Sequence, residues 1–285
     1  MSTDVLVILR CLNDAWVVGE TLEAIFGQRE VRPRVVAIDS GSTDGSLDIL
    51  RRFPLELMQI APGTYIPGRV LNLGMRQGAE PIAAFVNSDC TPQHDRWLER
   101  LVAPFASDDR IAAVYGRQIP RPGAHPLVRL DYERAFGDGS EAARWRHFFS
   151  MASSAVRRSV WAAAPFDEQI RYSEDVLWSW QRRQEGWRIV YAAESVAMHS
   201  HNYSLAEMRR RYAGEGRADA AIFPPETHPT GFGGGLLRPW LAAVARDGAW
   251  CVRHGHWRAL FESPVHRWVQ RASYRSGLCE GLGRG

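Results

Sequence analysis

The stretch Pro81–Pro92, PIAAFVNSDCTP, constrains this chain more than any other. Ile82, Ala83, Ala84, Phe85 and Val86 form an apolar run without alternation. A run of this length between turn formers predicts a strand buried on both faces, as in a parallel sheet. It leads straight into Asn87-Ser88-Asp89 and then Thr91-Pro92. A carboxylate just past the C-terminal end of a buried strand lies where open α/β sheets bind ligands. Asp89 can equally close a turn or cap the next helix, so the rest of the chain must decide between the two.

Similar segments recur upstream. Val5-Leu6-Val7-Ile8-Leu9 and Val35-Val36-Ala37-Ile38 are continuous apolar runs, and Leu55–Ile60 is a further candidate strand. Helical spacings separate them. Trp16, Val17, Leu22, Ile25 and Phe26 follow a cap at Asn13 or Asp14; Leu47, Ile49, Leu50 and Phe53 come next; Val70, Leu71, Leu73 and Met75 lie within Pro67–Gly78. Strand and helix thus alternate, which predicts right-handed crossovers and an α/β fold with a mostly parallel central sheet flanked by helices. Downstream, the pattern predicts a helix over His94–Phe105 and strands over Ile111–Tyr115, Phe148–Val156, Trp187–Tyr191 and Ser195–Met198. Pro120–Trp145 shows no period and reads as a long loop of the lid type.

Composition narrows the classes. A chain of 285 residues with 45% apolar and 24% charged residues is an ordinary globular protein, one large domain or a domain with an appendage. A net charge of +3 gives no case for nucleic acid. All 35 basic residues are Arg, so any phosphate must be met by guanidinium groups. Cys11, Cys90, Cys251 and Cys279 lie far apart, which predicts reduced thiols in a cytoplasmic protein. The start MSTDVLVILR does not read as a signal peptide, and no apolar run reaches the ~18–20 residues of a membrane span. There is no GxGxxG after the first strand and no GxxxxGK[ST], which removes the main support for a dinucleotide dehydrogenase or a P-loop enzyme.

Several polar residues stand at strand and helix tips. Asp39 ends the second strand before SGSTDGS, where a carboxylate can accept hydrogen bonds from a nucleobase or ribose; Asp44 reads as a helix cap. Glu174 and Asp175 follow Ser173, a candidate cap. Acids in a first turn favour the helix dipole, but a carboxylate pair on a preformed helix start is also a way to hold a general base. His199 and His201 would share one side of an extended segment, a spacing suited to metal or phosphate contact as well as to ordinary surface residues.

Taken together, the strand leading to Asn13, the D-S-G-S-T-D-G loop from Asp39, the N-S-D form of D-x-D at Asn87–Asp89, the Glu174-Asp175 pair and H-S-H-N-Y-S at His199 resemble the family 2 glycosyltransferases, inverting enzymes of the GT-A fold. P-G-R-V-L-N-L-G from Pro67 and the H-S-H-N-Y-S-L segment look most like bacterial rhamnosyltransferase-type members. The resemblance implies a hexosyltransferase-type enzyme that moves one sugar from a nucleotide-diphosphate sugar to a glycan or lipid-linked acceptor, in surface polysaccharide or glycolipid synthesis. It implies a catalytic domain over 1–222, with donor binding in 1–118 and the acceptor and catalytic part in 146–222. By the same resemblance, Asp175 is the base, supported by Glu174. Asn13, Asp39, Arg69, Asn87, Ser88 and Asp89 bind the donor. Asp89, with His199 or His201, holds Mg²⁺ or Mn²⁺. The chain departs from the family pattern where Asn87 replaces the first acid of D-x-D. The alternatives are a sugar nucleotidyltransferase and a non-catalytic nucleotide-sugar-binding module.

Region 236–285 reads as a C-terminal helical extension in which Trp240, Trp250, Trp257, Phe261 and Trp268 are interleaved with Arg. Such helices fit a peripheral contact with anionic lipid, at the inner face of the plasma membrane; a helical cap on the catalytic domain or a homodimer surface is the alternative.

Overall fold

The computed structural model describes residues 3–283. Two compact units emerge: one comprises Met1–Arg121, Arg134–Gln169 and Glu174–Ser200, the other Pro122–Glu133, Ile170–Ser173 and His201–Gly285.

The first unit carries an eight-stranded sheet: β1 (Thr3–Cys11), β2 (Val31–Asp39), β3 (Glu56–Gln59), β4 (Ile82–Asn87), β5 (Thr91–Pro92), β6 (Ile111–Ile119), β7 (Ser153–Arg157) and β8 (Arg188–Met198). Their order is β3-β2-β1-β4-β7-β6-β8-β5. The strands of the sequence's first half pair in parallel, β3 on β2, β2 on β1 and β1 on β4. β7 runs antiparallel between β4 and β6, while β8 is parallel to β6 and antiparallel to β5.

The unalternating apolar runs are buried on both faces, as their composition predicts. Val5, Val7 and Leu9 of β1 pack with Val18, Leu22 and Ile25 of helix Val18–Phe26 and with Trp97, Leu98 and Leu101 of helix Trp97–Val102. On the other face Ile8 sits so close to helix Pro67–Met75 that a Cβ at Gly74 would lie 2.5 Å from its Cγ2. Phe85 meets Phe166 edge to face there, and Phe166 meets Trp178. Each fully buried Leu, Ile or Phe contributes about 1.5–3 kcal/mol of transfer free energy. Asn72 fixes that second layer: its amide donates to Phe166 O and Glu168 Oε1, both at 2.9 Å, and accepts from Trp161 Nε1 at 2.8 Å and Phe166 N at 3.1 Å.

Three expectations need correction. Pro120–Trp145 is not a structureless loop, because Pro126–Phe136 forms a helix inside it. Its apolar residues Leu127, Leu130 and Phe136 are buried, but intervening Arg, Asp and Glu blur the period. The two short strands expected over 187–198 are one strand, β8, with a register shift opposite Gly116/Arg117. The strand expected from Phe148 begins only at Ser153.

The second unit is helical. Helix Leu205–Ile222 opens with a capping box between Ser204 and Glu207 and packs on helix Trp257–Gly281. The approach is close enough that a Cβ at Gly277 would lie 2.0 Å from Ala213 O. Helix Arg238–His254 is tied to the same partner through buried Asp247, which accepts from Arg267 Nε at 2.6 Å and from Ser263 Oγ at 2.7 Å.

Candidate active site

The C-terminal ends of β1, β2 and β4 lie side by side, and their loops are wired together. Asn13 takes a left-handed backbone (φ +57°). Its N–H donates to Ser42 Oγ at 2.9 Å and its Oδ1 accepts from Thr43 N at 2.8 Å. Asp39 has no exposed surface. Its Oδ1 accepts from the N–H groups of Gly41 and Ser42, each at 3.0 Å, and its Oδ2 from Ser42 Oγ at 2.5 Å. Gly41 is required here, since it has φ +96° and a Cβ would lie 2.8 Å from Pro62. The Asp39 carboxylate therefore shapes the loop that borders the site. Asp44 does the same beside it, accepting from Ser46 N and from Ala15 N of the first loop.

The strand that begins the sequence argument delivers its turn as expected. Asn87 ends β4 and its Oδ1 accepts from Arg10 Nη2 at 2.7 Å. Ser88 is buried; its N–H donates to Arg10 O at 2.9 Å and its hydroxyl to Asp14. Asp89 is 5% exposed, its carboxylate 3.5 Å from His199 Nε2 and its carbonyl accepting from Arg121 Nη2 at 2.8 Å.

His199 is buried at the end of β8. Its Nδ1 lies 2.7 Å from Gln118 Oε1, while the Gln118 amide nitrogen donates to Ser150 Oγ at 2.8 Å. With the ring proton on Nδ1, given to that carbonyl, Nε2 presents its lone pair toward Asp89. A carboxylate facing an imidazole whose other nitrogen is held by a carbonyl is a metal-ligand arrangement with its outer support in place. The ligand atoms of Asp89 and His199 are close enough to share one cation. His201, in the second unit, is exposed and stacks on Tyr203 at 5.3 Å.

Glu174 and Asp175 open helix Glu174–Gln184. Ser173 has φ +58°, in the left-handed region rather than the extended backbone usual for a cap. Asp175 Oδ1 accepts from Val176 N at 2.8 Å and Oδ2 from Met151 N at 3.0 Å, so the carboxylate is held by backbone from two segments. Glu174 is buried, with Oε1 3.5 Å from Arg10 Nη1. Burial pushes both carboxyls above their ordinary range, and the neighbouring Arg10 guanidinium opposes the rise. Arg69 is apart from this cluster in its contacts, exposed on helix Pro67–Met75 and paired with Glu168 at 3.8 Å.

Sequence reasoning missed Arg10, Gln118 and Arg121. Arg10 carried a signal, a charge closing an otherwise apolar strand. Gln118 and Arg121 had none, because their role depends on β6 running beside β8.

The sequence profile of Glycosyl transferase family 2 matches residues 6–161, more than half of the chain. The chain belongs to glycosyl transferase family 2. Within the family it is 29% identical over 207 residues to the O-antigen chain rhamnosyltransferase WbaN of Salmonella anatum, covering 68% of this chain and 65% of that protein. It is 29% identical over 203 residues to the O-antigen chain rhamnosyltransferase RfbN of Salmonella typhimurium, covering 67% and 64%. The matches thus span just under two thirds of these relatives' length. Among solved structures, the mannosyltransferase PcManGT of Pyrobaculum calidifontis, in complex with GDP-Man and Mn²⁺, superposes with a TM-score of 0.67 at 21% identity over 99% of this chain and 88% of that one. Glucosyl-3-phosphoglycerate synthase of Mycobacterium tuberculosis gives 0.55 at 20% identity, over 75% and 77%. The fold is therefore that of the GT-A glycosyltransferases, and family membership sets the nucleotidyltransferase alternative aside.

Proposed function

We propose that the chain transfers one sugar, with inversion, from a nucleotide-diphosphate sugar to the hydroxyl of a glycan or lipid-linked acceptor, in bacterial surface polysaccharide or glycolipid synthesis. The observation that carries this reading is the pairing, within one unit, of a metal-competent Asp89–His199 contact with a separate, backbone-held Asp175. The resemblance to O-antigen rhamnosyltransferases supports the pathway class.

In this reading Asn13 and the loop that Asp39 holds border the nucleoside, and Asn87, Ser88 and Arg69 complete the donor's surroundings. Asp89 and His199 Nε2 would hold a divalent cation. That cation supplies positive charge against the diphosphate. A set containing imidazole as well as carboxylate favours Mn²⁺ over Mg²⁺, which prefers all-oxygen shells. Asp175 accepts the acceptor hydroxyl's proton on a lone pair that its two backbone donors leave open. The new oxygen–carbon bond forms as the bond from the anomeric carbon to the diphosphate oxygen breaks. The electron pair leaves with the nucleoside diphosphate, and a single displacement inverts the centre. Glu174, beside Arg10, supports the ionised base.

The same proposal places the enzyme at the cytoplasmic face of a membrane. Among the described residues no helix is long and apolar enough to cross a bilayer. Helix Trp257–Gly281 instead exposes Trp257, Phe261, Val265 and Trp268, spaced to share one face. Arg253 and Arg258 lie nearby in sequence, which suits an anionic lipid surface. A second copy of the chain is the competing occupant.

A thermal-shift and product-release screen of nucleotide sugars with Mn²⁺ tests the activity. Stabilisation and nucleoside diphosphate release by at least one donor support the reading; a flat response to every donor contradicts it.

A further inference from the structure

Arg10 is a largely buried cation near the C-terminal end of β1, directly opposite Asn87 of β4 in the parallel register. It touches both halves of the candidate site. Nη2 donates to Asn87 Oδ1 at 2.7 Å, and Nη1 lies 3.5 Å from both Glu174 Oε1 and Tyr65 Oη. Among the described residues its buried Nε makes no hydrogen bond. The strongest bond to this guanidinium thus comes from a neutral amide, at the position where the family pattern has an acid. A carboxylate at 87 would neutralise Arg10 at hydrogen-bond distance. An amide orients the guanidinium and leaves its charge facing the acidic pair.

We propose that Arg10 is a positioning residue which, oriented by Asn87, directs its charge onto Glu174 and Asp175 and so keeps the proposed base ionised in its buried setting. The departure at Asn87 then acts through the catalytic helix as well as through the neighbouring metal turn. This rests on the reading of Asp175 as the base. The charged group recorded around the pair, besides the two acids themselves, is Arg10 from β1, which Tyr65 ahead of helix Pro67–Met75 meets in turn; Met151 N and Val176 N add neutral donors. Without Arg10, only neutral backbone donors oppose the burial of the two carboxyls.

The test is a ¹³C-carboxyl NMR titration of Glu174 and Asp175 in the full chain, in wild type, Asn87→Asp and Arg10→Met, paired with pH profiles of donor turnover. Asn87→Asp is nearly isosteric and covers the case in which Arg10→Met fails to fold. Both variants are expected to raise the titration of the pair by about 1 pH unit or more and to carry the acid limb of kcat upward with it, with donor KM of Arg10→Met little changed at high pH. Arg10→Lys is expected to restore part of the shift. An unmoved titration in both Asn87→Asp and Arg10→Met overturns the proposal. So does a rise in donor KM at every pH with the titration fixed, which would make Arg10 a donor-anion contact. A shifted titration in a chain whose wild type releases nucleotide from no donor leaves the linkage standing and sinks the glycosyltransfer reading instead.

Discussion

His199 Nδ1 lies 2.7 Å from Gln118 Oε1, and this hydrogen bond decides what the opposite edge of the ring can do. It holds the ring with Nε2 toward Asp89, 3.5 Å away. Gln118→Leu should therefore release the ring and its tautomer while leaving both ligands in place. The expected outcome is a loss of about 10–100-fold in Mn²⁺ affinity, measured by isothermal titration with the full chain. Unchanged affinity would show that Gln118 does not support a ligand.

Asp89→Ala removes the carboxylate from the same site. Donor titrations of wild type should be much tighter with Mn²⁺ than without it, and the variant should lose that difference. A variant that still responds to Mn²⁺ as wild type does would place the cation elsewhere.

Glu174 gives a stability prediction with a definite sign. Burial raises its carboxyl from the ordinary 4.5 to about 7. Between those values the folded chain keeps a proton that the unfolded chain has released, so stability falls as pH rises through the window. Glu174→Gln lacks this titration. It should be more stable than wild type by about 1–3 kcal/mol at pH 8 and equal to it near pH 4. A difference independent of pH, in urea unfolding followed across this range, would contradict the burial argument.

The exposed face of helix Trp257–Gly281 predicts lipid binding that depends on aromatic side chains. Trp257→Ala combined with Phe261→Ala should abolish flotation with vesicles containing anionic phosphatidylglycerol and leave donor-dependent turnover of a soluble acceptor intact. Flotation unchanged by the double substitution, or a shift from dimer to monomer in its place, would assign this face to a second copy of the chain.

The sequence carried the first ninety residues well because buried parallel strands have no polar face to blur them. Val5–Leu9 and Ile82–Val86 could be nothing else, and the turns that end them put Asn13, Asp39 and Asp89 at one edge. Legibility failed where one side of an element is wet. Helix Pro126–Phe136 mixes Arg and acids with its buried Leu127 and Leu130, so its period was hidden. The break in β8's register depends on its pairing with β6, which no local pattern encodes. The same holds for the site. Asp175 and His199 were visible as residue types at element ends. Arg10, Gln118 and Arg121 act through partners 32 to 164 positions away, which only the assembled sheet reveals.

The most direct test of the account is donor turnover by Asp175→Asn set against donor binding by the same protein. Nucleoside diphosphate release in the presence of Mn²⁺ and acceptor should fall by about 10²–10⁴-fold, while the dissociation constant of the nucleotide sugar stays within about twofold of wild type. Turnover that survives the substitution, at unchanged donor affinity, would show that Asp175 is not the base and that the chemistry lies elsewhere in the site.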